Sequence, residues 1–443
     1  MANLLFDLMN SLKLQGNKIL AAIAFFPLLT FAAEIPDNVF PNGVGVNIHF
    51  TRGNAKDLDL IAAAGFKVVR MDFLWGRTER RKGEYDWSEY DELTTELERR
   101  GIRPYYILDY SNPLYEATVI TQNPDTLREE DRSTASPRRP ESIAAFARWA
   151  ASAAGHFRGR HVIWEIWNEP NIEFWKPEPD VKQYIALALA TCNAIREADP
   201  QATIVGPATS KFPWGFLKKF LKSGVLEYLD GVSVHPYREE SPPETAADDY
   251  KRLRQLIEQS APNEAKKGIP IISGEWGYSS DKMTGISLEK QADFIARQQL
   301  SNLLQGVPIS IWYDWKNDGE DVNERLHNFG TVTYDLQPKP GYVAIQTLTR
   351  ELSGYRIASR RNTGNKKDFV LILKNIIGET KLAVWTVGKP HAVTFDLEAA
   401  AATELFIVEG NGKRERIEIG KNSFTVKLSS SPAYITLKAV QLK

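Results

Sequence analysis

Eight strand–helix repeats, followed by a run of short strands without helices, predict an α/β protein: a (β/α)8 TIM barrel with a C-terminal antiparallel β-sandwich domain. Short runs rich in β-branched and aromatic residues alternate with longer amphipathic segments, several of which end at glycine. A length of about 300 residues for eight such repeats is typical of a closed parallel barrel. We therefore expect the barrel at residues 34–354 and the sandwich at residues 355–443.

The predicted barrel strands are residues 43–50, 67–73, 103–110, 161–168, 202–207, 231–237, 269–276 and 307–315. The stretch from Ser111 to Pro140 is polar and rich in proline, which predicts a long surface loop on the active-site side of the third strand. The predicted sandwich strands are residues 368–375, 381–388, 391–397, 403–410, 414–420 and 424–440. This domain is expected to support the barrel, or to bind carbohydrate with Trp385 as its only tryptophan.

Residues 1–33 are typical of an export signal peptide or of an N-terminal membrane anchor. Lys13 and Lys18 precede an apolar run over residues 19–33, and small and turn-forming residues follow it. This run is shorter than the roughly 20 apolar residues that span a bilayer. A buried helix of the folded domain is the alternative. We expect a periplasmic or secreted protein, with inner-membrane association if the segment is retained.

The composition favours a neutral ligand. Lys plus Arg number 55 and Asp plus Glu number 56, so no field of one sign indicates nucleic acid as a partner. The sequence has no HExxH or CxxC metal motif, no GxSxG elbow and no glycine-rich phosphate loop after a strand, so we expect no metal and no cofactor. Cys192 is the single cysteine, which excludes an intramolecular disulfide. We expect a monomer that binds a neutral polysaccharide or oligosaccharide.

Polar and aromatic residues gather where the predicted strands end, and the carboxyl ends of barrel strands carry the reactive groups. The fourth strand ends in "HVIWEIWNEPN", residues 161–171, and the seventh ends in "SGEW", residues 273–276. Glu169 and Glu275 would therefore face each other across the barrel mouth. Two opposed carboxyl groups are what glycosidic bond cleavage requires, and a retaining mechanism needs them roughly 5 to 5.5 Å apart.

These motifs resemble the retaining glycoside hydrolases of clan A, and "WEIWNEPN" is similar in particular to glycoside hydrolase family 39. Arg70 on the second strand and "HPY" at 235–237 on the sixth extend the resemblance. The resemblance implies that Glu169 is the acid/base, that Glu275 is the nucleophile and that Asn168 donates to the 2-hydroxyl group of the sugar. The whole chain, with its export segment, further resembles a glycoside hydrolase of a bacterial exopolysaccharide system, which implies an exopolysaccharide, such as that of a biofilm, as the substrate.

Other residues are expected to bind substrate, and each has a structural alternative. His235 and Tyr237 would line the site of the reacting sugar, although His235 could be a buried core imidazole. Arg70 could be purely structural, and His49 could brace the mouth rather than touch sugar. The tryptophans near the strand ends are expected to supply two or three stacking platforms: Trp75, Trp175, Trp276, Trp312 and Trp315.

Three further questions stay open from the sequence. Glu165 also lies on the fourth strand and is a rival acid, although pairing with a buried cation such as Arg70 is its expected role. Aromatic residues spread over several strands favour internal cleavage of a chain. A polysaccharide-binding or export-assembly protein with little catalysis, or a transglycosylase that uses the same residues, is the alternative to an endo-hydrolase.

Overall fold

The computed structural model describes residues 35–122, 130–398, 404–437 and 442. The predicted export segment lies outside this range. Within it, no helix is long and apolar enough to cross a membrane.

The first ten strands build a closed barrel and one hairpin. In chain order they are β1 (Val44–Asn47), β2 (Val68–Leu74), β3 (Arg103–Asp109), β4 (Thr118–Gln122), β5 (Glu130–Thr134), β6 (Ile163–Ile166), β7 (Thr203–Ser210), β8 (Gly231–His235), β9 (Ile271–Trp276) and β10 (Ser310–Trp312). β4 and β5 pair with each other, and the other eight strands form the barrel, in which each strand lies beside the next along the chain and β10 closes onto β1. All pairs of barrel strands are parallel. The predicted barrel is confirmed.

Helices lie between the strands. They are α1 (Ala55–Ala63), α2 (Trp75–Thr78), α3 (Ser88–Arg99), α4 (Pro140–His156), α5 (Val181–Ala198), α6 (Trp214–Leu221), α7 (Ala247–Ser260), α8 (Glu264–Lys267), α9 (Leu288–Leu304) and α10 (Pro340–Leu352). Side-chain caps fix where two long helices begin. Asp180 accepts from the amides of Lys182 and Gln183 at the start of α5, and Ser287 accepts from the amide of Lys290 at the start of α9.

The barrel interior changes from apolar to polar toward the carboxyl ends of the strands. Its lower layer is a cluster of buried side chains: Val68, Tyr105, Ile163, Val205, Ile272, Ile309 and Ile311. One pleat higher, Arg70 of β2 and Glu165 of β6 point into the interior. Gly274 leaves room for them, because a Cβ atom there would lie 3.2 Å from a Glu165 oxygen. The apolar floor and the polar layer together define a mouth at the carboxyl ends.

The remaining strands form two sheets. They are β11 (Arg356–Arg360), β12 (Asp368–Lys374), β13 (Thr380–Thr386), β14 (His391–Asp396), β15 (Leu405–Val408), β16 (Arg414–Ile417), β17 (Ser423–Leu428) and β18 (Ala433–Leu437). Six pair antiparallel in the order β11-β12-β13-β18-β15-β16, while β14 pairs with β17. Val384 and Ile435 of the larger sheet share an apolar core with Phe395 and Phe424 of the smaller one. The predicted β-sandwich is therefore confirmed.

Three expectations need correction. The Ser111–Pro140 stretch is not a loop throughout, because β4 and β5 pair antiparallel within it; the all-polar sequence of β5 gave no strand signal. β11 was not predicted, since a strand whose residues are mostly exposed carries little apolar alternation. Trp385 cannot present its ring to carbohydrate. It is fully buried, stacks on Phe369 at 4.7 Å and donates to Glu244 of the barrel at 2.7 Å.

Candidate active site

The two predicted carboxyl groups come together at the mouth. Glu169 follows the end of β6, and Glu275 is the penultimate residue of β9. One ligand atom from each of Glu169, His235 and Glu275 lies within 4.8 Å of the other two, so the nearest oxygens of the two carboxyl groups are at most that far apart. The separation matches the roughly 5 to 5.5 Å of a retaining glycosidase and not the roughly 6.5 to 9.5 Å of an inverting one.

The backbone around Glu169 has φ angles that are unusual for residues other than glycine. Trp167 has φ of +67° and Glu169 has φ of +45°, both in the left-handed region that favours glycine. The amide of Glu169 donates to the carbonyl of Ala208, which itself has φ of +53°. Such conformations cost of order 1 kcal/mol or more each and persist only where the surroundings impose them. They turn the Glu169 side chain into the mouth.

Arg70 is the central cation of the site, and its side chain is completely buried. Its Nε donates to Glu165 at 2.8 Å, its Nη1 donates to Glu275 at 2.5 Å and its Nη2 donates to Asn168 Oδ1 at 2.9 Å. A fourth acceptor, Asn47 Oδ1, lies 3.2 Å from Nη1. Arg70 therefore holds the candidate nucleophile and Asn168 in fixed positions, which combines a structural role with a place in the site.

The surroundings of Glu275 favour its charged form. Burial acts to raise the pKa of Glu275, but the nearby His235, the Arg70 guanidinium and the Tyr237 hydroxyl outweigh it and hold the pKa below its ordinary value. The Tyr237 hydroxyl donates to Glu275 Oε1 at 2.7 Å. An ionised carboxylate is the form that a nucleophile needs.

His235 connects Arg70 with Glu169. Its Nδ1 lies 2.8 Å from Glu169 Oε1, and its Nε2 lies 3.3 Å from Arg70 Nη2. A neutral ring that accepts from the Arg70 guanidinium at Nε2 holds its hydrogen on Nδ1, and a protonated ring has a hydrogen on Nδ1 as well, so in both states Nδ1 donates to Glu169. This leaves Glu169 Oε2 free to carry the proton that an acid transfers. The buried His235 is thus bonded to the site rather than to the core.

Glu165, the rival candidate for the acid, is bonded to other side chains inside the barrel. It is fully buried, accepts from the Tyr105 hydroxyl at 2.8 Å and lies 2.7 Å from Arg70 Nη2. A carboxylate that pairs with a buried cation below the mouth cannot reach a bound substrate.

His49 lies at the rim, with 41% of its side chain exposed. Its Nε2 is 3.2 Å from Asp314 Oδ2. Burial works against the charge of the imidazolium, but Asp314 overcomes it and raises the pKa of His49 to about 9. His49 therefore carries a positive charge at neutral pH beside the mouth.

The predicted tryptophan platforms are wrong: Trp75, Trp175, Trp276, Trp312 and Trp315 are all at most 1% exposed. The indole N–H groups of four of them are used inside the protein. Trp75 donates to Glu79, Trp175 to Gln183, Trp312 to the carbonyl of Phe329 and Trp315 to Asp57. Rings packed on both faces cannot stack on a sugar.

Other aromatic side chains occupy the mouth instead, and the sequence reasoning missed them. Tyr313 follows β10, is partly exposed and meets the ring of His49 edge-on at 5.7 Å. Tyr110 follows β3, accepts from Asn168 Nδ2 at 3.0 Å and stacks on Phe174, which is 39% exposed. Their positions directly after strands were the signal that could have found them.

Two groups of described side chains place three metal-ligating atoms within 4.8 Å of one another: Glu169 with His235 and Glu275, and His49 with Asp314 and Asp318. The first group lies against the Arg70 guanidinium, whose charge opposes a bound cation. In the second, Asp314 is already paired with His49. The expectation of a reaction without metal stays a prediction.

Comparison with known proteins finds curated relatives and solved structures that are similar to this chain. A β-xylosidase of Caldicellulosiruptor saccharolyticus is 26% identical over 232 residues, 48% of this chain and 46% of that protein. A β-xylosidase of Geobacillus stearothermophilus is 29% identical over 250 residues, 50% of this chain and 48% of that protein. The chain thus spans about half the length of these curated relatives.

Solved structures share the fold over nearly the whole chain. A family 39 glycoside hydrolase from Bacteroides cellulosilyticus has a TM-score of 0.75 at 24% identity, with 91% of this chain and 82% of that chain covered. A family 39 β-xylosidase from Caulobacter crescentus has a TM-score of 0.64 at 18% identity, with 91% and 97% covered. The profile of the cellulase family matches residues 36–318, which include both candidate carboxyl groups. The chain therefore belongs to the cellulase family, glycosyl hydrolase family 5.

Proposed function

We propose that the protein is a retaining glycoside hydrolase in which Glu275 is the nucleophile and Glu169 is the acid/base. The observation that carries this proposal is the convergence of the two carboxyl groups within 4.8 Å at the carboxyl ends of β6 and β9. Their surroundings differ in the sense that the mechanism needs. Glu275 contacts a guanidinium and a phenol, whereas Glu169 receives one hydrogen bond from His235.

In the first step, a Glu275 oxygen attacks the anomeric carbon while Glu169 protonates the departing glycosidic oxygen. The bond between the anomeric carbon and that oxygen breaks, and an ester between the sugar and Glu275 forms. The ester has no charge, so the pKa of Glu169 falls once its neighbour is neutral. Glu169 then takes a proton from water, the water oxygen bonds to the anomeric carbon, and Glu275 leaves as a carboxylate.

Arg70 and His235 position the reacting groups. Arg70 holds one Glu275 oxygen, and Tyr237 holds the other. Arg70 also occupies Asn168 Oδ1, which directs the Asn168 amide group outward and leaves one of its N–H bonds for the 2-hydroxyl group of the sugar.

For the substrate, we propose a neutral polysaccharide cut at internal bonds, with a bacterial exopolysaccharide as the source, and with an activity of the family 39 type. The near-neutral charge of the chain and the curated β-xylosidases among its relatives support a neutral sugar. Fewer aromatic side chains support internal cleavage than the sequence indicated, because the tryptophans are buried. It rests on the exposed Phe174 and its stacking partner Tyr110, which extend an aromatic surface beyond Asn168.

Product analysis on defined oligosaccharides tests the substrate, the cleavage mode and the stereochemistry together. Release of internal fragments with retained anomeric configuration is expected. Release of only monosaccharide from one end would contradict internal cleavage, inversion would contradict the mechanism, and longer products would indicate a transglycosylase. Binding without any turnover would favour the polysaccharide-binding alternative.

Variants test the two roles. Glu275→Gln is expected to lower kcat by about 10⁴-fold or more with folding and glycan binding retained. Glu169→Ala should lose about 10²- to 10⁴-fold on substrates with poor leaving groups, and azide with an activated aryl glycoside should restore part of the rate. Glu173→Gln, an exposed carboxyl on the same loop, is the control. Full activity of Glu169→Ala with an inactive Glu165→Gln would show that the acid is misassigned.

A further inference from the structure

A second pair of carboxyl groups lies in the mouth beside the first and has no role in the mechanism above. Asp72 belongs to β2, and Asp109 is the last residue of β3. Side chains of a strand alternate, so Asp72 shares the inward face of Arg70, two residues before it, and Asp109 shares the inward face of Tyr105, four residues before it. Both Arg70 and Tyr105 bond to Glu165 inside the barrel. The two aspartates therefore point into the barrel one or two pleats closer to the mouth.

Asp109 is an anomaly among the described residues. Its side chain is completely buried, and no N–H or hydroxyl group of the described residues donates to either carboxyl oxygen, so its hydrogen-bonding neighbour is the carboxyl group of Asp72. A buried, ionised carboxylate without partners is strongly unfavourable. Burial raises the pKa of Asp109 well above its usual range, and the adjacent charge of Asp72 raises it further. Asp109 is therefore a neutral acid with a proton to donate, and Asp72 is the carboxylate beside it.

Asp72 differs from Asp109 in its access to the mouth. It is partly exposed, and it lies close enough to His49, Arg70 and Glu275 for their charges to act on it. Burial raises the pKa of Asp72 above its ordinary value, although His49, Arg70 and the hydrogen bond from Asp109 act in the opposite direction. Asp109 is completely buried whereas Asp72 is partly exposed, so Asp72 is the one of the two carboxyl groups that water and the nearby cations stabilise in the charged form. Its inner side contacts Asp109, and its outer side faces the mouth next to the nucleophile.

A free carboxylate oxygen in such a place matches a sugar hydroxyl group, which is a donor without charge. Resting on the function proposed above, we propose that Asp72 and Asp109 share one proton and that Asp72 accepts hydrogen bonds from hydroxyl groups, other than the 2-hydroxyl, of the sugar ring held at Glu275. Asp72 is then a substrate-binding residue that selects sugars by the position of those hydroxyl groups. Asp109 is a positioning residue that acts through Asp72.

The test combines variants with substrate analogues. The probes are the 4-nitrophenyl glycoside that the wild-type chain hydrolyses fastest, from a panel that includes the β-xyloside, and its series of monodeoxy derivatives. Asp72→Asn should lower kcat/KM by about 10- to 100-fold, because a hydrogen bond to a charged group is lost. Asp109→Asn, an isosteric side chain that still donates a hydrogen bond to Asp72, should lower kcat/KM by less than Asp72→Asn does. Asp230→Asn, at the opposite end of the barrel, is the control.

The decisive measurement is the coupling between protein and substrate changes. In the wild type, removal of one hydroxyl group other than the 2-hydroxyl should cost more than tenfold in kcat/KM, and in Asp72→Asn the same removal should cost less than threefold. Equal losses in both proteins for every hydroxyl group would assign Asp72 a purely structural role. If no monodeoxy derivative lowers kcat/KM of the wild type, the proposal is overturned even when the variant does not fold. If Asp109→Asn lowers kcat/KM as much as Asp72→Asn does, the shared proton is overturned.

Failure of this proposal is distinguishable from failure of the proposed function. If the wild-type chain hydrolyses no glycoside and Glu275 is not labelled by a 2-deoxy-2-fluoro glycoside, the proposed function is wrong. If hydrolysis and labelling occur and only the coupling is absent, the assignment of Asp72 alone is wrong.

Discussion

At the scale of the residue, the state of Glu275 depends on three neighbours that act together. Arg70, His235 and Tyr237 come from β2, β8 and the loop after β8, and each favours the carboxylate. A carboxylate with a lowered pKa remains ionised as the pH falls through the ordinary range of glutamate, so the nucleophile stays active in acid.

This environment predicts the acidic limb of the pH profile. Because its surroundings lower the pKa of Glu275, kcat/KM should fall only at a pH below the ordinary pKa of a glutamate side chain. Tyr237→Phe removes the donor to Oε1 and should move that limb upward by about one pH unit. The measurement is kcat/KM between pH 3 and 7, with Tyr342→Phe as the control, since that hydroxyl bonds to the carbonyl of Leu60 far from the mouth. An unchanged limb in Tyr237→Phe would contradict the assignment.

At the scale of the element, a buried lysine lies at the start of α10. Lys339 immediately precedes α10, is 5% exposed and bonds through Nζ to Ser280, Asn317 and the carbonyl of Asn328 without a carboxylate. These bonds tie together the loops after β9 and β10, which border the mouth. Burial lowers the pKa of Lys339 to about 7.

The lowered pKa predicts a pH dependence of stability. Between pH 7 and 10.5 the unfolded chain binds a proton that the folded chain does not, so the free energy of unfolding should rise with pH across this window. The rise is at most about 5 kcal/mol, and the three acceptors reduce it. Lys339→Met should remove this dependence. Urea unfolding of both proteins at pH 7, 8 and 9 checks it, and parallel pH dependences would contradict the assignment.

One contact between the sandwich and the barrel is made by β13. Trp385 of β13 donates to Glu244, which also forms a bidentate pair with Arg297 of α9. Trp385→Ala should lower the free energy of unfolding by about 3 to 5 kcal/mol, and Trp385→Phe should lower it by about 1 to 2 kcal/mol. Neither should change glycan binding, because the ring is buried. Denaturant unfolding and a glycan-binding assay check the two statements, and weaker binding by a stably folded Trp385→Phe would restore a carbohydrate-binding role.

At the scale of the whole molecule, the chain enters the described fold at the end opposite to the mouth. Ile35 packs on the apolar layer at the amino ends of the strands, beside Val68 and Tyr105. The residues assigned to the candidate site all lie in the described part of the chain, which follows the segment of residues 1–34. We propose that this segment directs export and that the enzyme acts in the periplasm or outside the cell.

This arrangement predicts that residues 34–443 alone fold and keep kcat/KM within about twofold of the full chain. Cell fractionation should find the full chain in the periplasmic, secreted or inner-membrane fraction, and the fragment in the cytosol. An inactive, folded fragment would contradict the position of the site, and a cytosolic full chain would contradict export.

The sequence by itself determined the barrel, the sandwich and the two glutamates. Strand alternation is a local property, and the carboxyl ends of parallel strands necessarily meet, so Glu169 and Glu275 were predictable from where they stand in the chain. The tertiary structure alone decided which way the remaining side chains face. The Trp312 side chain is buried in the core, whereas that of Tyr313 lies at the mouth, and Asp109 is a buried acid beside Asp72. The reason is that side-chain direction near a strand end depends on the backbone angles and on neighbours distant in sequence, and a linear pattern contains neither.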